Sequence, residues 1–169
     1  MPRPASRVTA VAAAAVTALS LLSAPAQAAS STGALTVTHV RANAAGTDTK
    51  SNLNGEYFVI KNTSTKTVNL RGYVPDITSN TYGRVLPSYN LPAGAVAYVR
   101  TGSGTNRRDA SGNHQVYRGY ARHVLPNDAT GRSPDLRLKR PGSADNNSSS
   151  GSISSCNWGR AANGTTYRC

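Results

Sequence analysis

From residue 29 onward the chain is broken every few positions by glycine, proline, asparagine, serine or threonine, and no window repeats apolar residues at i, i+3, i+4 and i+7. A chain punctuated in this way has no room for an amphipathic helix of several turns. The apolar runs left between the breakers have the length of strands. Leu35-Thr36-Val37-Thr38-His39-Val40 alternates at its start, as a half-buried strand does. Tyr57-Phe58-Val59-Ile60 is apolar at successive positions, so it reads as a central strand covered on both faces, and Asn54-Gly55 before it is a turn signal. Val68–Leu70 and Gly72–Val74 are the next expected strands, closed by Pro75-Asp76, and Tyr82–Leu86 is a further candidate. Leu91-Pro92-Ala93-Gly94 makes a turn into a strand over Ala95–Arg100, and Thr101-Gly102-Ser103-Gly104 reads as a flexible turn after it. Beyond an arginine-rich connection, Asp135–Lys139 alternates again, Ser143–Ser152 is a polar loop, and Ile153–Trp158 is the expected last strand. Short strands spaced near ten residues apart describe an all-β sandwich or barrel, here of about seven to nine strands.

The first 28 residues stand apart from this pattern. Arg3 and Arg7 precede the apolar run Val8–Leu22, and Ala26-Gln27-Ala28 fits a small-residue cleavage site, so Met1–Ala28 reads as a secretory signal peptide. Its apolar stretch is too short and too rich in alanine for a membrane span. Its removal leaves 141 residues (29–169) and lowers the formal charge from +12 to +10. A chain of that length forms one domain that buries roughly two thirds of its unfolded surface. The expected protein is therefore secreted and extracellular, with no membrane span and no room for a multidomain enzyme. Cys156 and Cys169 allow only one intramolecular pairing, and export favours a disulfide. Free or intermolecular thiols are the alternative, and metal ligation a remote one, the nearest histidine being His123, 33 residues away. The bridge would close a 14-residue loop. Chain entropy values such a closure at about 3 kcal/mol.

Several motifs then occur in a recognisable order. Asn54-Gly55-Glu56-Tyr57-Phe58-Val59-Ile60-Lys61-Asn62 is followed by Val68-Asn69-Leu70-Arg71-Gly72-Tyr73, by Leu91-Pro92-Ala93-Gly94-Ala95 with Tyr98-Val99, and by Asp135-Leu136-Arg137-Leu138. Over residues 35–158 this succession resembles the lamin tail domain, an immunoglobulin-like β-sandwich found in many exported bacterial proteins. Tyr73 stands where that family has a tryptophan, and Val124-Leu125-Pro126-Asn127-Asp128 replaces its usual W-N-N segment. The resemblance implies a non-catalytic module in a single domain over residues 29–169. Within these motifs Glu56 is expected to accept structural hydrogen bonds, Asn62 to satisfy loop backbone, and Gly72 and Gly94 to adopt positive φ or permit close approach.

Charge offers the main clue to a partner. Residues 100–140 hold nine bases against three acids, a net of +6 and most of the mature chain's excess. Arg107, Arg108, Arg118, Arg122, Arg132, Arg137, Lys139 and Arg140 are the candidate polyanion-binding residues, since arginine suits bidentate contact with phosphate. Tyr117 and Tyr120, interleaved with Arg118 and Arg122, are candidates for stacking on bases or sugars. In Leu136-Arg137-Leu138-Lys139 a period of two puts the leucines on one face and a solvated basic row on the other. The expected partners are extracellular nucleic acid or an anionic cell-wall polymer. A protein partner with incidental charge is the alternative, 15 arginines against 4 lysines being also what GC-rich coding produces. His39, His114 and His123 show no metal-ligand spacing, so no metal, cofactor or catalytic residue is expected. His114 with Asp109, or His123 with Asp128, are the acid–base pairs a small exported phosphodiesterase would need, the remotest reading.

Overall fold

A computed structural model describes residues 33–77, 84–128, 135–146 and 148–169. The proposed signal peptide, Arg132, and Tyr82 and Gly83 of the Tyr82–Leu86 candidate lie outside them. The described chain is an all-β sandwich. Its strands are β1 (Leu35–Arg41), β2 (Tyr57–Asn62), β3 (Val68–Asn69), β4 (Val74–Ile77), β5 (Asn90–Leu91), β6 (Val96–Arg100), β7 (Arg107–Arg108), β8 (His114–Tyr117), β9 (Leu136–Lys139), β10 (Ser152–Cys156) and β11 (Tyr167–Arg168). A single 3₁₀ turn, Leu53–Gly55, leads into β2.

The larger sheet has the order β11-β1-β2-β6-β8-β7, antiparallel except for the parallel pair β6-β8. A smaller sheet, β10-β9-β4, lies against it, and β3-β5 forms a short ribbon. One face of the large sheet contributes Leu35, Val37, Val40, Phe58, Ile60, Ala97, Val99 and Val116 to the core, met by Ile77, Leu136, Leu138 and Ile153 from the smaller sheet. Strand β1 serves both layers through a bulge between Val37 and His39. There the Val37 N–H turns to Ser154 Oγ of β10 at 2.9 Å, and the Thr38 carbonyl accepts the Cys169 N–H at 2.9 Å. The Cys156–Cys169 disulfide, with Cα atoms 5.0 Å apart, fastens β10 of the small sheet to the end of β11 in the large one.

Several local expectations need correction. Pro75-Asp76 does not close a strand but lies inside β4, which is an edge strand and so tolerates a residue without an N–H. Gly72, at φ 83°, belongs to the turn before it. Thr101–Gly104 is not loose: Thr101 is buried, its N–H and hydroxyl donate to Glu56, and Gly104 packs on the Tyr117 ring where any Cβ would collide. The arginine-rich connection contains β7 and β8. The last strand is β11, after β10 has ended at Cys156. The expectations for Glu56 and Asn62 hold. Glu56 Oε1 accepts from Thr101 Oγ1 (2.6 Å), Val124 N (2.8 Å) and Leu125 N (3.0 Å). Asn62 Nδ2 donates to the carbonyls of Lys66, Leu91 and Pro92.

Candidate functional site

Because β2 turns Phe58, Ile60 and Asn62 inward, it must turn Tyr57, Val59 and Lys61 outward. Strand register carries this alternation across the large sheet. Arg41, Tyr57, Arg100 and Tyr117 form one row over β1, β2, β6 and β8. Arg168, His39, Val59, Tyr98, Gln115 and Arg107 form the next, from β11 to β7. Thr36, Lys61 and Val96 form a third. Cross-strand neighbours share a face, so the outer surface of this sheet gathers five bases (Arg41, Lys61, Arg100, Arg107 and Arg168) and three tyrosines (Tyr57, Tyr98 and Tyr117).

The side chains on this face hold one another. The Tyr57 ring lies between two guanidiniums, Arg41 at 5.1 Å and Arg100 at 5.0 Å from its centroid. Tyr98 meets Tyr57 edge-on at 5.4 Å, and Arg100 also lies 5.5 Å from the Tyr98 ring. Such cation–π contacts are worth about 0.5–1 kcal/mol each at exposed sites. Arg100 donates to the Asn54 carbonyl at 2.6 Å and to Gln115 Oε1 at 2.8 Å, while Arg41 donates to Thr166 Oγ1 at 3.1 Å. The described ion pairs all lie elsewhere, and the electrostatic partner described for the five bases is Asp109, whose pKa Arg107 helps to lower. The acid at the edge of the face, Asp109, accepts from Gln115 Nε2 at 2.8 Å, and that hydrogen bond holds its carboxyl below the usual range.

This is not the set of bases that sequence spacing suggests. Arg107 and Tyr117 do lie on the face, and Arg108, exposed in β7, points to its other side and donates to the Gly112 carbonyl. Arg118 is buried, its Nη2 donating to the Arg84 carbonyl and to Tyr120 Oη, both at 3.1 Å. Desolvation there pushes the guanidinium pKa down. Tyr120 is buried as well, with the Arg118 and Arg84 guanidiniums 4.7 Å and 4.8 Å from its ring centroid. Arg122 and Arg140 are exposed on connections outside the strand rows of this face, and Arg137 is half-buried opposite Asp76 on the small sheet. Lys139 corrects the solvated-row expectation outright. It is fully buried, with Nζ 2.7 Å from Asp76 Oδ2. Arg41, Lys61, Arg100, Arg168, Tyr57 and Tyr98 were the residues missed. Alternation around Phe58–Ile60 and Ala97–Val99 marks the outward positions of β2 and β6, but pairing them across strands requires the register.

The histidines do not form the ion pairs with Asp109 and Asp128 that the remotest reading, a phosphodiesterase, would need. His123 Nδ1 lies 3.1 Å from Glu56 Oε2, and its Nε2 lies 3.1 Å from Asn52 Oδ1 and 3.8 Å from Asp48. Asp128 instead faces Arg160 at 3.8 Å. His114 Nδ1 meets Tyr89 Oη at 2.7 Å, and burial, then Arg108, lowers its pKa. Burial raises the Glu56 pKa against the opposing pull of its hydrogen bonds. This cluster ties the 48–52 loop to 123–125, and the described residues hold no group of three or more His, Cys, Asp or Glu suited to a metal ion. No described helix is long and apolar enough to cross a membrane. No family model, curated protein or solved structure matches the chain.

Proposed function

We propose that this protein is an exported, non-catalytic β-sandwich module that binds an extended polyanion along the outer face of its large sheet. The observation that carries the reading is the row-by-row interleaving of five bases, none in a described ion pair, with three tyrosines. Charge alone attracts any anionic polymer. Tyrosine rings beside guanidiniums add a stacking surface, which favours single-stranded nucleic acid over an anionic cell-wall polymer. Tyr98 and Tyr117 are half-exposed, Tyr117 with Gly104 packed on its ring and Tyr98 beside Tyr57 and Arg100, whereas Tyr57 is buried under Arg41 and Arg100. Export is supported by the signal-like segment Met1–Ala28 and by the Cys156–Cys169 disulfide. The order of motifs that resembles a lamin tail domain supports an immunoglobulin-like, non-catalytic assignment.

Tyr98→Ala tests the stacking component. Against a single-stranded oligonucleotide it should cost about 1–3 kcal/mol of binding at fixed salt. Against a glycerol-phosphate polymer, which has no rings, it should cost little. Equal losses on the two ligands would remove the preference for nucleic acid, and no binding of either by the parent protein would remove the proposal.

A further inference from the structure

The small sheet holds an arrangement that polyanion binding does not use. Lys139 in β9 and Asp76 in β4 share the sheet face turned away from the main core, yet neither side chain is exposed to solvent. Lys139 Nζ lies 2.7 Å from Asp76 Oδ2 and donates to the Ala144 carbonyl at 2.8 Å and to the exposed Asn146 Oδ1 at 3.3 Å. The next acid, Asp145, has both carboxyl oxygens buried without a hydrogen-bond partner, and after burial it is the neighbouring Asp76 carboxyl that pushes its pKa up. The pair is thus a buried amine against a buried carboxyl, with a second carboxyl in contact and water excluded. Dry surroundings narrow the gap between an ion pair and the corresponding neutral amine and acid, and fixed contact replaces the encounter step of amide formation.

We propose that Lys139 and Asp76 condense to an intramolecular amide that cross-links β9 to β4, with Asp145 as the acid–base group. The ammonium of Lys139 passes a proton to the Asp76 carboxylate it touches, and the freed Nζ lone pair forms a bond to Asp76 Cγ. Asp145 donates its proton to the departing Asp76 oxygen and recovers one from the nitrogen. The Cγ–O bond breaks, one water leaves, and no oxidant or cofactor is consumed. Burial, then the contact with Asp76, raises the Asp145 carboxyl to about 6, which suits a group that must both give and take a proton.

Mass spectrometry of the purified chain, denatured and reduced, tests this directly. The parent should be lighter than its sequence by one water, and its tryptic map should contain a branched peptide joining the segment with Asp76 to the one with Lys139. Lys139→Arg, which keeps the cation, should restore the full mass, and Asp145→Asn should leave most molecules unlinked. A parent of full mass overturns the proposal without requiring any variant to fold. Loss of ammonia instead of water also overturns it, by making Asn146 the acyl donor, as would a deficit that survives in Lys139→Arg.

Discussion

Removing the three exposed bases on the outer face of the large sheet, Lys61, Arg107 and Arg168, as a triple alanine variant separates a local binding face from general basicity. If all five bases of the face contact phosphate, the logarithm of affinity for single-stranded DNA should fall with the logarithm of salt at a slope of about −3.5, from roughly 0.7 per contact. Between 50 and 200 mM salt that is a loss of about a hundredfold. The variant keeps Arg41 and Arg100, so its slope should flatten to about −1.4 and its loss over the same range to about sevenfold. The comparison variant removes Arg71, Arg122 and Arg140, which are exposed outside the strand rows of this face and carry the same total charge. At physiological salt the Debye length is about 8 Å, so charges on another surface are screened from the ligand. Its slope should match the parent's. Fluorescence anisotropy of a labelled oligonucleotide across a salt series reads all three slopes. Equal flattening in the two triple variants would refute the assignment of binding to the sheet face and leave net charge as the cause.

Glu56→Ala strands the buried N–H groups of Val124 and Leu125 and the hydroxyl of Thr101, and should lower stability by about 3 kcal/mol in urea unfolding. Replacing Cys156 and Cys169 together with serine should cost about 3 kcal/mol, seen as the same drop when the parent is unfolded under reducing conditions. Where Asp76 is not cross-linked, as in Lys139→Arg, Asp145 should titrate near the raised value of about 6 in carbon-detected NMR. Its folded pKa lies above the unfolded 3.8, so its stabilising contribution is complete below 3.8 and lost as pH rises through about 6. A carboxyl resonance that titrates at the ordinary aspartate position would contradict the buried contact with Asp76.

Alternation in the sequence identifies which side of a strand a residue occupies, and it does so well for β2, for β6 and for β1 up to the bulge after Val37. It says nothing about what covers that side. In β9 the period of two correctly turns Leu136 and Leu138 to the core, but Lys139 on the opposite side is roofed by the 144–146 segment and paired with Asp76 instead of meeting water. Arg118 fails for a related reason. It follows β8 immediately and is drawn under Arg84 and Tyr120, a contact between residues 34 positions apart. Strand β8 itself was hidden because His114-Gln115-Val116-Tyr117 has a single aliphatic residue, and its pairing is parallel to β6, a choice no local pattern encodes.

The distribution of acids explains why the basic face stays uncompensated. Of seven acidic residues, Glu56, Asp76 and Asp135 are buried within the fold. Glu56 caps the 124–125 backbone, Asp76 holds Lys139, and Asp135 accepts the N–H groups of Trp158 and Gly159. Asp48 lies by His123, Asp128 by Arg160, and Asp145 against Asp76. That leaves Asp109, at the rim and already bound to Gln115, as the carboxylate beside the five bases of the large sheet. A chain that was basic for compositional reasons alone would scatter its acids among its arginines. Here nearly every acid has a structural partner elsewhere, so Arg41 and Arg100, held against Tyr57 and Tyr98, stand on this face without a described ion pair. Such a surface pays little ordering entropy when a charged polymer settles on it.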